Sequence, residues 1–253
     1  MSNTRTFDEL TVEIYPDAAA ISLAAFQRAS RQIREAIGRR GYARVILATG
    51  NSQLEFLSLL RQAEDIDWSK VDLFHLDEYM GLEAEHASSF RYYLYENFVN
   101  HVNPRSFHGI DGTADPAAEA RRYGELLNAD SIDLSCLGVG NNGHLAFNDP
   151  PYADFNDPEA VKVVELDEVS RQQQVDGGLF PSLDSVPTHA LTVTIPALLD
   201  AAHVQVLASG AHKAEAIRAA LQDPITEDCP ASVLRTARQA VLYLDQESAS
   251  LLD

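Results

Sequence analysis

Between Leu137 and Pro151 the chain reads LGVGNNGHLAFNDPP, a combination that a merely packed loop does not need. Gly138, Gly140 and Gly143 allow a tight turn after an apolar run, and His144 can carry a proton near neutral pH if a neighbour fixes its tautomer. Asn142 and Asp149 lie within sequence reach of that task. A second chemical feature is LFHLDEYMGL, where Asp77 and Glu78 stand at the end of an apolar strand. Adjacent residues on an extended chain face opposite ways, so only one of the two can point into a given site. Their phase with His75 and Leu76 does not decide which, and an acidic helix cap is the plainer reading of both.

Two further stretches suit an anion. In VILATGNSQLEF, Thr49, Gly50, Asn51 and Ser52 follow a strand and open a helix, where free N–H groups and hydroxyls can cradle a phosphate. The stretch is neither a Walker A loop nor a dinucleotide fingerprint, and an ordinary helix cap also explains it. In LASGAHKAEAI, Lys213 stands at a helix start, a poor place for a cation unless an anion lies there; otherwise it is a solvated lysine.

These stretches need a scaffold. Val-, Ile- and Leu-rich runs at 44–48, 71–76, 132–139, 190–195, 204–208 and 240–244 alternate with amphipathic segments, the rhythm of an α/β fold with a mostly parallel sheet. Helices are predicted from Asp17 to Gly41 and over 53–62, 88–100, 116–128, 212–221 and 231–237. In open α/β sheets ligands sit beyond the carboxyl ends of the strands, where all four chemical stretches fall. The segment 149–188, rich in proline, is the least regular and reads as a lid or binding segment of a single domain spanning 1–253.

Composition narrows the partners. The 253 residues, 45% of them hydrophobic, suffice for a sizeable core. The formal charge of −19 opposes nucleic acid and anionic membrane, so an anionic metabolite needs a local cradle. The start MSNTRTFDEL lacks the order of a secretion signal, and no apolar run reaches membrane-spanning length, which predicts a cytoplasmic protein. Cys136 and Cys229 are expected as reduced thiols rather than a disulfide or zinc framework.

Together, ATGNS, LDEYMGLEAEHASSFRYYLYENFVNHV, GVGNNGHLAFNDP, VPTHALTVTIPALLDA and ASGAHKAEAI resemble, in order, the motifs of the glucosamine-6-phosphate deaminase family, related to the 6-phosphogluconolactonases. The resemblance implies a Rossmann-like fold with helices on both faces of the sheet, and a cofactor-free, metal-free reaction. A 2-amino-2-deoxyhexose 6-phosphate would be ring-opened, isomerised and deaminated to a ketose 6-phosphate. It implies Asp77 as the base moving a proton from C2 to C1, His144 as the ring-opening acid/base, and Asn142 and Asp149 as its positioning pair. Thr49, Gly50, Asn51, Ser52, Gly143 and Lys213 would hold the sugar phosphate.

The chain departs from the family pattern in places. Asn142 stands where a carboxylate is common, and Asp149 where a glutamate is usual. The family's phosphate-binding arginine falls at or near Gly177, so Arg171 is expected to substitute for it. The extension used for allostery is short, so no allosteric control is expected. A 6-phosphogluconolactonase-type hydrolase and a non-catalytic sugar-phosphate sensor stay open beside the deaminase, as do the sugar epimer and a monomeric or homo-oligomeric state.

Overall fold

Asp17 accepts a hydrogen bond from the Ala20 amide at 2.8 Å and so opens helix Ala18–Arg40, while Gly41, at φ 90°, closes it by donating to the Ile37 carbonyl. Ile21, Ala25, Ala29 and Ile33 form the buried stripe between those caps. The computed structural model describes residues 3–166, 168–176 and 178–253.

Its strands are β1 (Asn3–Phe7), β2 (Leu10–Tyr15), β3 (Ala43–Leu47), β4 (Val71–His75), β5 (Asp77–Tyr79), β6 (Ser106–His108), β7 (Leu134–Gly138), β8 (Val161–Glu165), β9 (His189–Val193), β10 (Val204–Ala208) and β11 (Ala240–Asp245). Eight of them form one sheet in the order β1-β2-β11-β10-β7-β3-β4-β6, parallel except for β1 against β2. Both faces are apolar because both are covered. Ile46, Phe74, Leu137 and Val206 pack with Tyr123 of helix Pro116–Asn128 and Ile217 of helix Ala214–Gln222. The alternate residues Val45, Leu47, Leu73, Cys136 and Leu207 pack with the long first helix. No helix among the described residues is long and apolar enough to cross a membrane.

The sheet order explains why distant stretches meet. From β3 the chain steps outward through β4 to β6, whereas from β7 it steps the other way through β10 to β11. Loops leaving the carboxyl ends of β3 and β7 therefore diverge and leave a crevice between them. The exits of β10, β7, β3 and β4 are consecutive along the sheet, so all four chemical stretches open on that crevice.

The structure differs from the sequence expectation in several elements. The run at 190–195 does form β9, but in a second, antiparallel sheet, β5-β9-β8, rather than in the parallel one. The segment 149–188 is more regular than its composition suggests, since it carries β8, helix Glu168–Asp176 and a 3-10 turn at Leu183–Ser185. The helix expected over 88–100 is α-helical at Phe90–Leu94 and then widens to a π turn at Tyr95–Val99. The stretch Pro230–Thr236 winds as 3-10 rather than α.

Candidate active site

Gly50 follows β3 at φ 100° and ψ 168°, a conformation that a Cβ would strain, and its carbonyl accepts from the Tyr93 hydroxyl at 2.8 Å. The chain then turns through Asn51–Gln53 into helix Leu54–Arg61. The N–H groups of Asn51 and Ser52 lie in the first turn and take no backbone acceptor among the described residues.

At the exit of β4 the structure separates the two acids. Glu78 is wholly buried and accepts from the amides of Tyr79, Phe90 and Arg91, from the Ser89 hydroxyl at 2.7 Å and from the Arg91 guanidinium at 3.3 Å. It is a helix cap. Asp77 turns the opposite way into the cleft and remains 7% exposed. No donor among the described residues reaches its carboxylate, and burial, then Glu78 and Asp149 nearby, push its pKa well above the usual carboxylate range.

The glycine-rich loop after β7 is a mount for His144. A Cβ at Gly140 would lie 2.3 Å from the imidazole, and one at Gly143, at φ 84°, would lie 2.7 Å from Cys229 Sγ. Gly140 is therefore the space the ring occupies, and Gly143 is the turn. Asn142 donates from Nδ2 to Asp149 Oδ1 at 2.8 Å and accepts the His144 amide at 3.1 Å. Asp149 Oδ1 in turn lies 3.0 Å from His144 Nδ1, a close contact that is not aligned as a full hydrogen bond. The two departures thus fit each other: the amide of Asn142 gives Asp149 a donor where a second carboxylate would repel it, and the shorter Asp149 still reaches the ring.

Beyond β10, Gly210 at φ 90° donates to the Asp245 carboxylate at 3.0 Å, and the chain winds through Ala211–Lys213 into its helix. Lys213 Nζ donates to Asn141 Oδ1 at 2.7 Å but has no carboxylate partner among the described residues. Burial lowers its pKa, the mark of an ammonium short of counter-charge.

A cleft of about 520 Å³ joins these groups. Thr49, Gly50, Asn51, Ser52, Asp77, His144 and Lys213 line it, with Asn142 and Asp149 behind the histidine. Two expectations need correction. Gly143 does not line the cleft; its N–H and carbonyl are spent on Gly140 and Ala231 within the turn. Arg171 does not line it either: its guanidinium donates to the carbonyls of Leu183 and Val186, which ties helix Glu168–Asp176 to the 3-10 turn. Gly177, the place of the absent arginine, lies outside the described residues.

Further residues line the cleft beyond those expected from the sequence. Ser209 and His212 leave β10 just before Lys213, and the strand-exit rule that found the lysine reaches them too. Tyr79 follows Asp77 by two positions, the spacing that puts both on one face of β5. Phe90, Phe147 and Gln174 carried no such signal. Among the described residues, no group of three or more His, Cys, Asp and Glu side chains could hold a metal ion.

Comparison with known proteins agrees with this architecture. Residues 16–243 match the family described as glucosamine-6-phosphate isomerases/6-phosphogluconolactonase. The chain is 37% identical over 206 residues to a glucosamine-6-phosphate deaminase of Bacillus cereus (strain G9842), covering 81% of this chain and 76% of that protein. It is 38% identical over 209 residues to that of Exiguobacterium sibiricum, covering 81% and 80%. A monomeric glucosamine-6-phosphate deaminase of known structure superposes with a TM-score of 0.86 at 33% identity, covering 95% of this chain and 99% of that one. The 6-phosphogluconolactonase of Thermotoga maritima shares the fold, with a TM-score of 0.76 at 19% identity over 93% of this chain and 99% of that one. With its family match running nearly end to end and its deaminase relatives more than a third identical over 81% of its length, the chain belongs to the glucosamine-6-phosphate isomerase/6-phosphogluconolactonase family, on its glucosamine-6-phosphate deaminase branch.

Proposed function

We propose that this protein is a cytoplasmic deaminase that converts glucosamine 6-phosphate and water to fructose 6-phosphate and ammonia. The observation that carries the reading is the placement of a buried carboxylate, Asp77, with no donor among the described residues, in the wall of a cleft that also holds the His144–Asp149 pair and Lys213, whose ammonium meets no carboxylate among those residues. Moving a proton between adjacent carbons asks for a single base close to both, and a carboxylate fixed at a strand end supplies it.

In this reading the phosphate rests on Lys213, the hydroxyls of Thr49 and Ser52 and the amides of Asn51 and Ser52. His144 delivers a proton to the ring oxygen, so that the pyranose opens to its aldehyde. Asp149 and Asn142 hold the imidazole in place. Asp77 then takes the proton from C2 and returns it to C1, and the iminium left at C2 is hydrolysed, releasing ammonia. The segment 149–188 acts as the lid of one catalytic unit spanning 1–253, with Gln174 and Leu179 reaching the cleft.

The test is a parallel assay of purified protein with glucosamine 6-phosphate, its galactosamine epimer and 6-phosphogluconolactone. Ammonia from an amino sugar without lactone turnover is expected. Lactone hydrolysis without ammonia would transfer the site to the hydrolase chemistry of the family. Binding without turnover of any of the three would make the protein a sensor.

A further inference from the structure

Tyr79 is a wholly buried side chain of this cleft whose polar atom meets no partner among the described residues. It leaves β5 on the same side as Asp77, two residues earlier, and it lines the cleft. Its ring is gripped by Phe90, Phe147 and Phe180, with centroids 5.1, 5.2 and 5.4 Å away, so it cannot swing out to solvent. The phenolic oxygen, within a residue that is 0% exposed, has no hydrogen-bond partner among the described residues.

That arrangement gives the folded protein nothing for the hydroxyl. An unpaired buried hydroxyl opposes folding, whereas phenylalanine fits the same kind of aromatic contact, as its three neighbours show. Burial, then the nearby Asp77 and Glu78 carboxyls, raise the phenol's pKa, so it keeps its proton and can donate.

We infer that the Tyr79 hydroxyl is a substrate contact, which donates a hydrogen bond to the bound amino sugar at the C1–C2 end beside Asp77. It selects for a polar group there and fixes those carbons against the base. The inference rests on reading the cleft as an amino-sugar phosphate site, and its test separates the two.

Tyr79→Phe removes one oxygen. Thermal unfolding of both proteins is measured, together with calorimetric binding of inorganic phosphate and of the reduced, non-reacting open-chain 2-amino alditol 6-phosphate. The expected result is a Tm equal to or above that of the parent, unchanged phosphate binding, and about tenfold or greater weakening toward the alditol. If glucosamine 6-phosphate is turned over, kcat/KM falls by a similar factor. Alditol binding by the parent that is sensitive to Tyr79→Phe supports the contact even where no ammonia is released, an outcome that would sink only the deaminase reading. Equal alditol affinity in the two proteins overturns the inference. A Tm lowered by several degrees also overturns it, because the oxygen would then serve the fold.

Discussion

Asp77→Asn is expected to lower ammonia release by about 100- to 10,000-fold while making the protein more stable at neutral pH. Activity falls because the amide cannot take the C2 proton. Stability rises because the carboxylate is buried, lacks a donor among the described residues and has Glu78 and Asp149 nearby. Its folded pKa lies above its unfolded one, so its contribution to stability is fully present below about pH 4 and lost as pH rises through the raised folded value. At pH 7 the ionised group therefore opposes folding, and the asparagine does not. Thermal unfolding should show a higher Tm for the variant at pH 7, by roughly 2–4 °C per kcal/mol at this chain length, with the gap closing toward pH 4. The acid limb of kcat/KM in the parent should lie above the ordinary carboxylate range, since the base works only when ionised. A variant that loses activity and stability together would make Asp77 a structural residue.

His144→Gln carries the second large effect, a fall of about 100-fold or more in kcat. The imidazole is held against the cleft by the empty side of Gly140 and by Asp149 at 3.0 Å. Without it, opening the sugar ring becomes the slow step while Asp77 still awaits the aldehyde. The isotope effect from deuterium at C2 should therefore shrink toward unity in His144→Gln, relative to the parent. Asp149→Ala should cost less by itself, and little more when added to His144→Gln, because Asp149 acts through the ring. Full additivity of the two substitutions would separate the carboxylate from the histidine.

Much of this site was legible before any coordinates, for a definite reason. Residues that leave the carboxyl ends of parallel strands face the crevice, and β3, β4, β7 and β10 were visible as apolar runs. Thr49 to Ser52, the pair Asp77 and Glu78, His144 and Lys213 follow directly from that rule. What the rule could not supply was direction. Asp77 and Glu78 look alike in the sequence, and they part only because Ser89, Phe90 and Arg91 bring their donors to Glu78 from a helix start that follows it in the chain. Arg171 failed for the same reason: its sequence position suggests the cleft, but the carbonyls of Leu183 and Val186 claim it.

In the fold, the second sheet was the main loss. β5 spans Asp77–Tyr79, too short to show a period, and β8 sits in a stretch whose prolines read as loop. The strands β1 and β2 pair with each other at the sheet's edge, where polar residues such as Thr4, Arg5 and Thr11 dilute the apolar pattern. The π turn at Tyr95–Val99 has no local signature that distinguishes it from the helix around it.

Whether one carboxylate serves both carbons is read by following the hydrogen. Glucosamine 6-phosphate deuterated at C2 is turned over in ordinary water, and the C1 position of the product is read by NMR. Because Asp77 is 7% exposed, its captured deuteron exchanges poorly with solvent, and a measurable share is expected to reappear at C1. A product whose new C1 hydrogen comes from water alone would contradict a single buried base.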